Sequence, residues 1–269
     1  MNIQCTVRAM SVLVALLLTF TLAADVLGQS KPKKTKYKGD QSPYGHDAQP
    51  KGCKKYKTFG KCPDIGCGGS ESEEPLNRRK NIPAVDLSAV TVTDIPFETL
   101  RNKQMPAGYT PGDEDRSALQ AAGEGTVYRT VADMTDIRWG SQESCNCKLW
   151  LAKDTDNHMV LINQKVINDT VGTDDTWEQH SFTAEFTPRS KKGHKDFRVS
   201  VIDKLIKDSS RKRLKVRLTG TLMFDDYHEV HPLKNGRETN WELHPIWGFE
   251  YCPNTKCTLD KDAGWIKLK

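Results

Sequence analysis

Apolar and polar residues alternate clearly in three stretches of the chain. From Leu214 to Phe224, Leu214, Val216, Leu218, Leu222 and Phe224 alternate with Arg213, Lys215, Arg217, Thr221 and Met223, a period of two broken at Gly220. That is the pattern of a strand with one face against a core. Ser181 to Thr187 repeats it, with Phe182, Ala184 and Phe186 on one face and Thr183, Glu185 and Thr187 on the other. A last strand runs from Trp241 to Tyr251, where Trp241, Leu243, Trp247, Phe249 and Tyr251 alternate with Glu242, His244, Ile246 and Glu250. Gly125 to Met134 reads as a first strand. A second starts at Cys147 to Ala152, turns at Asp154 to Asn157 and resumes from His158 to Ile162. Phe197, Val201, Ile202, Leu205 and Ile206 recur at the spacing of one helical face, which predicts a helix capped by Asp196 and ending near Lys207.

The order is strand, strand, strand, helix, strand, strand. It predicts a mainly β protein: a five-stranded OB-like barrel with one helix between strands three and four, the helix plugging the barrel's end. A glycine in the fourth strand suits a strand that bends to close a small barrel. The competing arrangement is an open α+β sheet with the helix on one face. The barrel domain is expected over 124–252, with a C-terminal tail over 253–269.

Upstream of the barrel the pattern fades. Arg8 followed by the apolar stretch Ser11 to Ala24 and small residues near Gly28 predicts a cleaved signal peptide over 1–28, since roughly 14 apolar residues fall short of the roughly 20 needed to span a bilayer. No later stretch is long and apolar enough to span one, so the mature chain is expected to be secreted or periplasmic. Residues 29–62 read as a disordered Lys-rich arm: Ser30 to Cys62 holds ten Lys and two Asp and almost no aliphatic residues. Residues 63–123 read as an extended, partly ordered lead-in. Of 269 residues, 36% are hydrophobic and the mean hydropathy is −0.64, which excludes collagen, a coiled-coil rod and a polytopic membrane protein. The formal charge of +5 is concentrated in the arm, which leaves the rest of the chain acidic overall.

Beyond the signal, seven cysteines remain. Cys62/Cys67 and Cys252/Cys257 are each spaced for a tight disulfide-closed turn, and Cys145 and Cys147 point the same way from a strand, each pairing elsewhere, for example with Cys252 or Cys257. In an oxidising compartment disulfides are favoured over a four-thiolate zinc site made from the same residues. An odd count leaves one thiol free or paired between chains.

Six local strings carry a resemblance: Leu76-Asn77-Arg78-Arg79-Lys80-Asn81, Glu143-Ser144-Cys145-Asn146-Cys147, Asp156-Asn157-His158, Glu185-Phe186-Thr187-Pro188-Arg189, Leu218 to Asp225, and Trp241-Glu242-Leu243-His244-Pro245. Together, over roughly 76–250, the chain resembles a group of uncharacterised secreted bacterial proteins with an OB-like core, which usually show Ile where Leu243 stands. The group has no known activity, so the resemblance implies compartment and fold only.

The chemistry is concentrated between and beside the last two strands. The 225–239 loop carries Asp226, His228, His231 and Arg237, and Glu242 and His244 leave one face of the last strand. Arg213, Lys215 and Arg217 add a cationic row. These residues suit a secreted non-catalytic binding or interaction module for an anionic or extended ligand, such as a polyanion or an envelope component. If Asp156 and His158 lie nearby, then Asp156, His158, His228, Glu242 and His244 make a divalent-metal set. The alternative is therefore a metal-dependent extracellular phosphodiesterase or nuclease. Plainer roles compete with both: histidines before proline anchor backbone, and Glu242 pairs with Arg213 or Arg217 across strands. No nucleophile elbow, P-loop or dinucleotide glycine motif occurs.

Overall fold

In the computed structural model, which describes residues 47–169, 177–227 and 237–269, five strands close on themselves. They are β2 (Val127–Trp139), β3 (Asn157–Ile162), β4 (Phe182–Phe186), β5 (Leu214–Phe224) and β6 (Trp241–Cys252). Around the barrel the order is β2-β3-β4-β6-β5, and β5 returns to β2. Every pairing is antiparallel except β4 with β6, where Thr183 lies beside Glu242 and Ala184 beside Leu243. The helix α6 (Val199–Asp208), preceded by the short α4 (Gln164–Asp169) and α5 (Pro188–Lys191), joins β4 to β5 and packs against β2. The closed barrel with its helix between the third and fourth strands is as the alternation predicts, and it excludes the open sheet. Two short strands extend it: β1 (Val92–Asp94) runs parallel to β2, and β7 (Ile266–Lys267) pairs with β6.

The inward positions of each strand fill one core. Met159, Leu161, Phe182, Ala184, Phe186, Leu218, Leu222, Trp241, Leu243 and Phe249 are buried there with Ile202 and Ile206 of α6. Burial of a side chain of this size stabilises by about 1.5–3 kcal/mol. Gly220 occupies a break in the β5–β6 register, where a Cβ would lie 2.9 Å from Pro245 O and 2.7 Å from Ile246 Cδ1. The Pro245 oxygen belongs to the backbone and has no rotamer to retreat into. Gly220→Ala is therefore expected to destabilise by about 1–3 kcal/mol in urea unfolding. A loss within error of zero would show that β6 gives way here.

The remaining segments depart from expectation. The second strand starts at Asn157 and not at Cys147, because Cys147 and Lys148 turn through positive φ and Cys147 is bound to Cys62. The helix begins at Val199, later than an Asp196 cap, and the Asp196 amide instead donates to the Lys269 carbonyl. The signal segment and the arm up to residue 46 lie outside the described residues. From 47 to 62 the arm is ordered, contrary to expectation: Phe59 is buried, and Cys53–Cys67 and Cys62–Cys147 are disulfides. So Cys62 and Cys67 do not pair with each other, and Cys53 joins the framework. Cys252–Cys257 closes its own turn, one of the pairings its spacing allowed, and among the described residues Cys145 is the buried free thiol. The lead-in holds three short helices, α1 (Glu74–Lys80), α2 (Phe97–Arg101) and α3 (Ser117–Ala121), besides β1. The C-terminal tail folds back: Leu268 is buried and its amide donates to the Phe249 carbonyl. No helix of the described residues is long and apolar enough to cross a membrane.

Candidate functional site

Strand alternation builds the site. Met159, Ala184 and Leu243 point inward, so their neighbours His158, Glu185, Glu242 and His244 point outward. His158 and Glu185 are partners across β3 and β4, and the β4–β6 register brings Glu185 beside His244. The His158 and Glu185 side chains meet at 2.8 Å, from Nδ1 to Oε1. His244 Nδ1 lies 2.9 Å from Glu242 Oε1 and 3.3 Å from Glu185 Oε2, and its Nε2 faces Asp156 Oδ2 at 3.8 Å. Arg237 Nη1 donates to Glu242 Oε2 at 2.8 Å.

An outward polar row would ordinarily be solvated, but here the chain's own N-terminal part covers it. Lys80, at the end of α1, reaches Glu143 at 2.9 Å and Asp225 at 3.4 Å. Asn81 Nδ2 donates to the Cys145 carbonyl, Asn77 Nδ2 to Ser144 Oγ, and the Cys67 amide to the Ser144 carbonyl. Gly66 makes this approach feasible, since at φ 71° a Cβ would lie 2.2 Å from Ser144 O. The result is a polar seam between barrel and cover in which Asp156, Glu185, Glu242 and His244 are at most 2% exposed. Only Glu143 and His158, at 19% and 24% side-chain exposure, reach its edge. A hollow of about 300 Å³, lined by Glu73, Asn77, Lys80, Gln142, Glu143 and Tyr227, opens there.

Burial and charge act against each other across the seam. Burial alone would depress the His244 imidazole, but Glu185, Glu242 and Asp156 raise it to about 9. Burial would raise Glu185, yet His158 and His244 hold it at about 2. Asp156 is pushed up to about 6 by burial against the pull of His244. Burial likewise opposes ionisation of Lys80 and His158, and neighbouring carboxylates override it in both. The Cys145 thiol is driven up by burial, with Glu143 and Asp156 adding to it.

Each of the six strings quoted above supplies a charged side chain to this seam: Lys80, then Glu143, Asp156 with His158, Glu185, Asp225, and Glu242 with His244. Of the predicted metal set, Asp156, His158, Glu242 and His244 are brought together; its fifth member, His228, and His231 of the binding set lie outside the described residues. Lys80, Glu143, Glu185 and Asp225 were missed as site residues. For Glu185 the alternation assigned the face, but nothing local signals that the face is covered.

The predicted anion-binding face is not an open one. Arg217 is buried and doubly held by Glu250, with Asp262 at 2.8 Å. Lys215 donates to the Thr255 carbonyl, and Arg213 lies against Gln164. Asp226 is bound by Arg116 and the Tyr109 hydroxyl, and Arg237 by Glu242 and Asp225. Of the expected cationic row, Arg217 is therefore neutralised by the strand beside it and the folded-back tail, whereas Lys215 and Arg213 meet only uncharged partners.

A different surface is cationic. Between the end of β2, the start of β3 and the segment leading into α6 lies a cleft of about 770 Å³. Lys153, Lys192, Lys195 and Arg198 stand exposed on it, Lys191 and half-buried Trp139 line it, and no acidic side chain does. His194 stacks on Phe197 with ring centroids 4.2 Å apart, which fixes the imidazole at the wall. Lys191 donates to the carbonyls of Ala152 and Thr155, and burial holds its ammonium down at about 8 against Asp156 and Asp154.

No protein-family model matches the chain, and no curated protein or solved structure matches it either.

Proposed function

We propose that the chain is an exported, non-catalytic module that binds an anionic polymer bearing phosphate or sulfate groups in the cleft beside Trp139. The observation that carries this reading is the cleft's lining: four exposed cations line one concavity, and among the described residues no acidic side chain does. Like charges held this close cost free energy unless a polyanion joins them, and such a ligand gains by releasing counterions. The positive end of α6 begins at the same wall and adds to the field. Read as an OB barrel, the fold has a loop between its first two strands that borders the usual ligand-binding face. Here that loop supplies Lys153. Three disulfides support export, since such bonds persist in oxidising compartments. The burial of the polar seam argues against a hydrolase acting there on a polymer, which could not reach Asp156 or His244.

The test is titration of the full chain with polyphosphate and with heparin at several salt concentrations. Binding is expected to weaken steeply with salt. Lys192→Glu with Arg198→Glu is expected to weaken it by about 10-fold or more at low salt, with unfolding midpoint unchanged. Equal affinity in that double variant, or no binding by the parent chain at low salt, would remove the proposal.

A further inference from the structure

We infer that the polar seam is a site for one divalent transition-type cation of the zinc class, held by Asp156, Glu185 and His244. This stands independently of the cationic cleft. One ligand atom from each of the three lies within 4.8 Å of the other two. A cluster of acids by itself would not justify an ion, but two buried atoms aimed into this one make no hydrogen bond: His244 Nε2, which only faces Asp156 at 3.8 Å, and Glu185 Oε2, which only approaches His244 Nδ1 at 3.3 Å. Their residues are 0% and 1% exposed, so water does not serve them from bulk. Leaving such atoms without a hydrogen bond in a core costs roughly 1–3 kcal/mol each, and a cation that both ligate offsets these costs.

The histidine is also oriented as a ligand. Its Nδ1 is engaged by Glu242 Oε1, whose other oxygen is held by Arg237. A carboxylate on one ring nitrogen fixes the tautomer that leaves the other nitrogen's lone pair for a metal. That other nitrogen is the one facing Asp156. Imidazole with two carboxylates in a dry site selects zinc-like ions over magnesium or calcium, which favour all-oxygen, more hydrated shells. The free thiol among the described residues lies at hand as a fourth donor: Cys145 Sγ is 3.9 Å from Asp156 Oδ2. The three principal ligands come from the loop before β3, from β4 and from β6, so the ion would pin barrel strands to the loop that the cover grips. Its entry is from the hollow at Lys80 and Glu143.

The experiment uses the full chain with its disulfides intact, dialysed against EDTA and reloaded by long incubation with zinc chloride or cobalt chloride. The expected result is one metal per chain retained after gel filtration, a raised unfolding temperature, and a cobalt-induced paramagnetic shift of the His244 ring signal. A charge-transfer band would report the Cys145 thiolate as the fourth ligand. Asp156→Asn is expected to abolish stoichiometric retention, and Glu242→Gln to weaken it by about 10-fold while leaving the ligands in place. No retained metal in the parent chain would overturn the site, as would equal retention in folded Asp156→Asn. If Asp156→Asn fails to fold, the parent chain's cobalt spectrum decides: retained cobalt without a shift at His244 overturns the assignment.

Discussion

Arg116→Met is expected to cost about 3–5 kcal/mol of stability, the loss typical of breaking a buried ion pair from one side. Arg116 is a buried hub. Its Nε and Nη2 donate to Glu124 at 2.9 and 2.6 Å, Nη1 pairs with Asp226, and Nη2 also reaches the Phe224 carbonyl at 2.7 Å. It thereby ties the start of α3 to the end of β5. Methionine fills much of the volume but leaves Glu124, with a side chain 1% exposed, with the Phe224 amide at 3.1 Å and the more distant Arg79 at 3.6 Å as the cation facing it. Replacing Glu124 as well, by leucine, is expected to restore part of the loss, because one of the two carboxylates stranded by the first change is gone and the other, Asp226, keeps the Tyr109 hydroxyl. Urea unfolding midpoints of the two variants measure this. A single variant within 1 kcal/mol of the parent would mean that solvent reaches Glu124 and that the hub contributes little.

The second large effect concerns the cover. Cys62–Cys147 joins residues 85 apart, whereas Cys252–Cys257 joins residues 5 apart. In the chain-entropy account the first bond stabilises by about 4.5 kcal/mol and the second by about 2 kcal/mol. Serine at both Cys62 and Cys147 is therefore expected to lower stability about twice as much as serine at Cys252 and Cys257. The longer bond is also the clasp over the polar seam, so its removal is expected to make residues 47–81 the first to be cut in limited proteolysis, ahead of any barrel strand. Equal losses for the two pairs, or first cleavage within β2 to β6, would show that the cover is held by Lys80 and Asn81 and not by the disulfide.

How much of this could be read beforehand differs by level. The fourth strand, Leu214–Phe224, coincides with its predicted bounds, and the third and last differ from theirs by a residue or so at an end. Strict alternation is a local signal, written into each strand by the need to face a core. The second strand was placed too early because Leu149, Trp150 and Leu151 are apolar, and a disulfide half made with Cys62 cannot be seen from Cys147 alone. Arg217 was counted in a cationic row for a similar reason. Its alternation is correct, but a tail more than forty residues away brings Asp262 against it.

The candidate site shows the same division. That Glu242 and His244 share a face followed from their spacing, and their meeting at 2.9 Å bears this out. That Asp156 and His158 join them required the register of β3 on β4 and of β4 on β6. Sequence alone determined which residues alternate, hence the barrel, its helix and the outward direction of His158, Glu185, Glu242 and His244. Only tertiary structure decided that this outer row is roofed by a disulfide-clasped N-terminal segment, and that the exposed cations gather at Trp139 rather than on β5. The physical reason is range: periodicity records what each residue needs from its immediate neighbours. Burial of a polar face and convergence of charge depend on segments that meet only after the chain has closed.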